Sequence, residues 1–420
     1  MSPVPVFAYL ALAALAVWIS ARFFGHPFSP FSIFYGIWFA ALAIYNLHWI
    51  EYIPIRRPAW TLMALSLLSF AVGWLIPYLL WDSRQAQGPE MVASQVSPDR
   101  LRTVILIFFV LGVIWAIIFL SAIRSNIGLA ALIEAPGELR NAGTEDPLKI
   151  LDWLNVANLV LSTFYLFVLK PKRSLVIWLV LVFSIAALFL KTDRTHFFYA
   201  FSWAGFVVLH SMKATLKKVI ALVTVGAGLL LGQFFLVAIW LGKVAENIPV
   251  IMETANVRNA MLFMLGPYIY ITESFPSLQA YMDSAPRSTH GLMTFYPAFR
   301  LVHLIDPTVE QPAIVAEFVQ VPFDSNTFTW LHQFYTDFGT TGVLIGPWII
   351  GALTSCVYFQ MLRTRSFYST LVNGLFSYCL ALSVFVNHFT QGPAWYFLVV
   401  TFLIALWVRN PMAKLRPAEV

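Results

Sequence analysis

Residues 174–190 read SLVIWLVLVFSIAALFL, and residues 191–196 read KTDRTH. The first stretch carries no charge and is long enough to cross a bilayer as a helix. Charges close it at both ends: Lys170, Lys172 and Arg173 before it, Lys191, Asp193 and Arg194 after it. The same grammar recurs along the chain. Apolar runs bounded by charge, Pro or Gly predict spans at about 4–21, 31–50, 59–81, 103–123, 150–169, 174–190, 197–210, 219–241, 341–361, 368–386 and 393–408.

Composition agrees with that reading. Of 420 residues 60% are hydrophobic and 11% charged, and the mean hydropathy is +0.76. Soluble domains carry about 25% charged residues, so a soluble enzyme, a disordered chain and a secreted disulfide scaffold are excluded. Cys356 and Cys379 fall in spans and read as packing residues. The net charge of +6 reads as topology charge rather than as a nucleic-acid footprint. No basic stretch precedes the first apolar run, which argues against a cleaved leader.

Orientation follows from the short loops. Lys170, Lys172 and Arg173 crowd one turn, Lys213, Lys217 and Lys218 another, and Arg409, Lys414 and Arg416 follow the last span. Placing these inside together with Arg363 and Arg365, and by alternation Arg22, Arg84, Arg100 and Arg102, puts 15 basic and 4 acidic residues on that side, against 11 basic and 16 acidic on the other. That is the asymmetry the positive-inside rule expects. The expected fold is an all-α polytopic membrane protein with eleven transmembrane helices, N-terminus outside and C-terminus inside. Three regions follow: an N-terminal bundle of about eight spans over 1–241, a large outer loop over 242–340, and about three spans with a short cytoplasmic tail over 341–420. The large loop holds eight prolines and 15 aromatic residues, so it should fold back on the membrane or on the bundle. Within it, 260–271 reads as a re-entrant or interfacial helix, and the span count becomes twelve if it crosses.

Several residues could carry chemistry. In 191–196, Arg194 reads either as an interfacial anchor or as a bidentate phosphate ligand oriented by Asp193. Arg258, Arg287 and Arg300 in the large loop pair with its acidic residues or form a basic pocket for a lipid diphosphate. Arg300 and His303 share a face if 292–304 is helical. The stretch Asn326–Gly342 reads NTFTWLHQFYTDFGTTG. On a helix Asn326, Thr329, Gln333, Asp337 and Thr340 make one polar stripe, which lines a wet cleft or faces solvent. Gly342 and Gly346 form a small-xxx-small pair for close helix packing. No histidines pair at ligand spacing and no nucleotide, zinc or nucleophile-elbow motif is present, so neither a metal nor a cofactor is expected.

Three of these pieces resemble the oligosaccharide repeat-unit polymerases of the Wzy type and, more distantly, the O-antigen ligases. Thr192-Asp-Arg-Thr195 looks like the turn these proteins place before a span. Tyr268–Leu278 with Gly291–Phe295 looks like their large outer loop. Asn326–Gly342 is similar to the stretch that opens their following span. The related ligases carry His-Asn where this chain has Ser325-Asn326, so a His-based mechanism would need His332 or Asp337 to substitute, unless no discrete base is used.

The resemblance implies a GT-C-like fold and polymerisation of undecaprenyl-diphosphate-linked repeat units at the periplasmic face of a bacterial inner membrane. Asp337 and His332 become the candidate catalytic residues. Arg194, Arg287, Arg300, Arg258, Asn326, Gln333 and Tyr270 become candidate substrate contacts. The implied partners are lipid-linked glycan donor and acceptor, membrane lipids and a polysaccharide chain-length regulator, with no nucleic acid. A ligase acting on lipid A core and a lipid-linked-oligosaccharide flippase are the alternatives.

Overall fold

The computed structural model describes residues 4–80, 95–126, 149–171, 174–190, 194–211, 249–256, 259–311 and 316–410, with a few isolated positions between these. The helices are α1 (Val4–Phe23), α2 (Pro30–Tyr45), α3 (Arg57–Leu80), α4 (Pro98–Asn126), α5 (Lys149–Phe164), α6 (Leu175–Leu190) and α7 (Arg194–Ser211). Then come α8 (Pro249–Thr254), α9 (Leu265–Thr272), α10 (Ser274–Asp283) and α11 (Tyr296–Ile305). After a two-stranded hairpin, β1 (Val319–Gln320) with β2 (Asp324–Ser325), follow α12 (Leu331–Thr364), α13 (Phe367–Ala381) and α14 (Gly392–Val408).

Ten of the eleven predicted runs are helical over most of their length. The run at 219–241 lies largely outside the described residues, as does 129–148. Among the described helices five are long and apolar enough to cross a membrane: α1, α3, α4, α5 with the turn that extends it to Leu169, and α12. The chain is therefore a largely helical protein with membrane-spanning helices. The predicted run at 260–271 forms a 3-10 turn, Asn259–Met264, leading into α9. By itself α9 rises only about 12 Å, less than the thickness of a hydrocarbon core.

Packing divides the chain into two compact units that each draw on distant segments. Residues Met1–Gln85, Val244–Gln360 and Cys379–Tyr396 form one, and Ala86–Lys243, Met361–Tyr378 and Phe397–Val420 form the other. This grouping cuts across a division in chain order, because the large loop packs with the first three helices.

The core of the first unit is aromatic. The Phe34 ring centre lies 4.1 Å from that of Phe70 and 5.0 Å from that of Trp330, both tilted, and Trp38 Nε1 donates to Ser383 Oγ at 2.8 Å. The crossing of α3 and α12 depends on two glycines. A Cβ at Gly73 would overlap the Trp348 carbonyl, and one at Gly351 would overlap the Phe70 carbonyl. Ser355 Oγ donates to Trp74 O across the same crossing at 2.8 Å. The small-residue pair expected at Gly342 and Gly346 serves another contact: Phe334 of the same segment lies against both. That is made by Gly339, whose φ of 58° and ψ of −145° interrupt α12 and turn the chain before the apolar span.

In the second unit α5 sits against α4, α6 and α7. It ends in a π turn, Tyr165–Leu169, closed by Lys170 in the left-handed region. Tyr199 and Trp203 of α7 pack on Tyr378 (4.1 Å) and Phe397 (4.8 Å). Along α5 run Asp152, Asn155, Asn158 and Ser162, all buried. Gly112 of α4 leaves the space that the Asn155 amide fills.

Candidate functional site

Between Arg258 and Asp283 the chain carries one charge, Glu273, in a run of apolar, aromatic and hydroxyl residues. Glu273 is the single residue linking α9 to α10, with helical φ and ψ, so the two helices run on almost without a break. Its side chain is buried and bonds to the Ser325 and Thr327 hydroxyls. The β1–β2 hairpin presents Ser325 inward, where its Oγ accepts from Ser277 Oγ at 3.1 Å and from Thr327 N at 3.2 Å. Burial pushes the Glu273 carboxyl up from 4.5 to about 7, and the two hydroxyls offset only part of that rise. A carboxyl poised there can take up or give back a proton near neutrality.

An aromatic cluster lies along α9, and its Tyr52 is close enough to feel the Glu273 charge. Tyr45 stacks on Tyr52 at 6.0 Å, Trp49 on Tyr268 at 5.1 Å, and the Tyr52 hydroxyl meets Thr272 Oγ1 at 2.9 Å. Burial, joined by the nearby Tyr268, Glu273 and Tyr45, holds the Tyr52 phenol well above its usual range.

Helix α10 then runs beside the segment 325–336 at one-turn intervals. Glu273 meets Ser325 and Thr327, Ser277 meets Ser325, and Tyr281 meets Phe328, His332 and Thr336. The His332 ring stacks on Phe328 at 4.3 Å and lies 4.4 Å from Tyr281. Five buried polar atoms in this region have no hydrogen-bond partner among the described residues: Ser274 Oγ, Thr329 Oγ1, Trp330 Nε1, His332 Nδ1 and Gln333 Oε1. Buried polar groups are normally paired; the Trp330 ring packs on Phe34 and Phe70, and the His332 ring on Phe328 and Tyr281, so His332 Nδ1 is the open atom that these contacts place beside α10.

The polar stripe is corrected. Helix α12 begins at Leu331, which leaves Asn326 and Thr329 in the extended approach, and Gly339 breaks the helix before Thr340. Only Gln333 and Asp337, four apart, share a helical face. Asp337 is buried and fully engaged. Its carboxylate accepts from Thr289 Oγ1, from Met293 N at 3.2 Å and from Thr294 N at 2.6 Å, while its carbonyl accepts from Ser288 Oγ at 2.6 Å. That geometry clamps residues 288–294 to the start of α12. It leaves His332 and Glu273, rather than Asp337, with capacity for further bonds.

Neither Arg287 nor Arg300 is among the partners of Glu273. Arg287 and Arg300 are exposed, and Arg300 donates to Tyr296 OH at 3.3 Å. A different arginine makes the loop ion pair: Arg56 with Asp283 at 3.4 Å. Arg258 lies outside the described residues. Arg194 is the first residue of α7, in the second unit, and Asp193 before it lies outside the described residues. Tyr270 packs against Phe385 at 4.9 Å, and Asn326 is half-buried.

Sequence reasoning passed over Glu273, although its isolation in an uncharged stretch was a usable signal. It also missed the α5 stripe, where Asp152 Oδ1 lies 3.3 Å from His196 Nε2 and Trp153 stacks on that ring at 3.8 Å. Among the described residues no three His, Cys, Asp or Glu side chains cluster to hold a metal ion. Compared with family models, curated proteins and solved structures, the chain matches none.

Proposed function

We propose that this chain is a metal-independent membrane glycosyltransferase that joins lipid-linked oligosaccharide repeat units, with the Glu273 region as its acceptor site. In this reading the eleven-span, GT-C-like topology holds and 242–340 faces the periplasm of a bacterial inner membrane. The acceptor hydroxyl attacks the anomeric carbon of the donor glycan. The bond from that carbon to the diphosphate oxygen breaks, the hydroxyl proton passes to the Glu273 carboxylate, and polyprenyl diphosphate leaves. Arginines meet the charge that develops on the leaving group, with Arg194, Arg287, Arg300 and Arg258 as the residues to supply it. Asn326, Gln333 and Tyr270 contact the sugars, and His332 is the alternative acceptor for that one proton.

One observation carries the reading: the buried Glu273 carboxyl, bonded to the Ser325 and Thr327 hydroxyls and raised by burial to about 7, at the start of a helix that also meets His332. Aromatic faces and open donors and acceptors suit a sugar. A second reading, translocation of a lipid-linked glycan, draws on the buried polar stripe of α5. Reconstitution with purified lipid-linked repeat units, with and without lipid A core, separates the classes. A glycan ladder on the lipid supports the polymerase, transfer to core the ligase, and movement between leaflets without transfer the flippase.

A further inference from the structure

Helix α11 follows the segment that Asp337 clamps, and it leaves its apolar face open. Leu301, Leu304 and Ile305 are 62%, 74% and 88% exposed. Their spacing of three and four puts them on one face. Arg300 stands about 100° around the helix from Leu301, at the edge of that face, and donates to Tyr296 OH at 3.3 Å. The far end is folded over: His303 Nδ1 donates to Val309 O at 2.7 Å, and Asp306 Oδ1 accepts from Thr308 N at 3.0 Å.

Its place in the fold identifies what covers the open face. The Asp337 carboxylate holds the amides of Met293 and Thr294, two residues before α11 begins. Asp337 lies two residues before Gly339, beyond which α12 runs on as an apolar helix with Leu344, Ile345, Trp348 and Ile349 exposed. Exposed apolar side chains on a helix long and apolar enough to cross suit contact with lipid. Helix α11 is thus tied to the segment just before this apolar helix.

We propose that α11 is an interfacial helix that rests its Leu301–Leu304–Ile305 face in the hydrocarbon edge of the adjoining leaflet, with Arg300 and Tyr296 at the level of the lipid phosphates. A short helix with one bare apolar face suits an in-plane position. Arg and Tyr at its margin are the residue types found at headgroup depth. Arg300 is cationic, and the partner chemistry it fits is an anionic headgroup. The inference rests on the membrane reading of α12 and not on the reaction.

Site-directed spin labelling tests it on the full chain in vesicles containing phosphatidylglycerol. With Cys356 and Cys379 replaced by Ala, nitroxides are placed at Ile305→Cys, at Ser284→Cys as an aqueous control, and at Ile345→Cys as a lipid control. Oxygen partitions into hydrocarbon and a nickel chelate stays in water. The expected ratio of oxygen to nickel accessibility at Ile305 is several-fold above that at Ser284 and close to that at Ile345. A ratio at Ile305 equal to Ser284, with Ile345 still lipidic, would overturn the proposal and leave the membrane reading intact. Low accessibility to both reagents with spin–spin broadening would overturn it in favour of a second copy. An aqueous ratio at Ile345 would remove the membrane reading itself.

Discussion

The Glu273 region and the α5 stripe both bury polar side chains among aromatic rings, yet they differ in kind. Glu273 lies in a segment between spans, with two hydroxyls on its carboxyl and a phenol beside it. Asn155, Asn158 and Ser162 lie inside a helix long enough to cross, and none of their side-chain nitrogens and oxygens has a partner among the described residues. A carboxyl raised to about 7 can change its charge within the physiological range. An amide cannot. The proposed base is therefore Glu273, while the one acid of the stripe, Asp152, already lies 3.3 Å from His196 and the stripe's amides are neutral.

Replacing Glu273 tests this difference most severely. Glu273→Gln keeps the shape and removes the base, so transfer should fall by about 100-fold to 10,000-fold at matched membrane expression. In the parent protein, activity should rise with pH through about 7, as the carboxyl ionises. Stability should move the other way. The folded-state value lies above the ordinary 4.5, so the group's contribution is complete below 4.5 and is lost as pH rises through about 7. The loss amounts to about 3 kcal/mol at most, and the Gln variant should not show it in thermal melts between pH 5 and pH 8. Full transfer by the Gln variant would end the assignment.

Arg194 comes next. A guanidinium that forks onto phosphate oxygens is poorly replaced by an ammonium. Arg194→Ala should reduce transfer by about 30-fold or more, and Arg194→Lys should recover little of it. Parent-level glycan ladders from the Lys variant would make Arg194 an interfacial anchor.

Asp337 sharpens the contrast between holding and reacting. Asp337→Ala leaves the Met293 and Thr294 amides without their acceptor and should cost about 3 kcal/mol, read as a lower melting temperature and faster proteolysis near 288–294. Asp337→Asn, which keeps one acceptor oxygen, should retain transfer per folded molecule. Abolished transfer by a stable Asn variant would return Asp337 to the chemistry.

The smallest effect is expected in the stripe. Replacing an unpartnered buried amide by an apolar side chain of similar size is neutral or stabilising, so Asn158→Leu should raise stability by about 1 kcal/mol and leave transfer unchanged. Lost activity in a stable variant would erase the comparison and favour translocation through α5.

Much of the fold was legible because apolar runs bounded by charge have few other uses; α1, α3, α4 and α6 follow directly. The grouping into two units was not. It depends on contacts such as Trp38 Nε1 to Ser383 Oγ, 345 residues apart, that leave no local trace. The Asn326–Thr340 stripe fits a helical period by residue type, but the left-handed turn at Gly339 lets Phe334 lie against Gly342 and Gly346. That tertiary contact overrides local pattern. At the site, His332 and Gln333 were legible from their place in that stretch. Glu273 was read as one more loop acid, because its burial depends on the hairpin that brings Ser325 beneath it.

The glycine crossing of α3 and α12 has a mechanical meaning. Where side chains separate two helices, rotamer changes give the joint some play. At Gly73 and Gly351 main chain bears on main chain, so there is nothing to compress, and a shift of one residue along either axis would drive a Cβ into a carbonyl. The pair therefore behaves as one stiff rib with a fixed pivot. It can tilt about the crossing but cannot slide or part there.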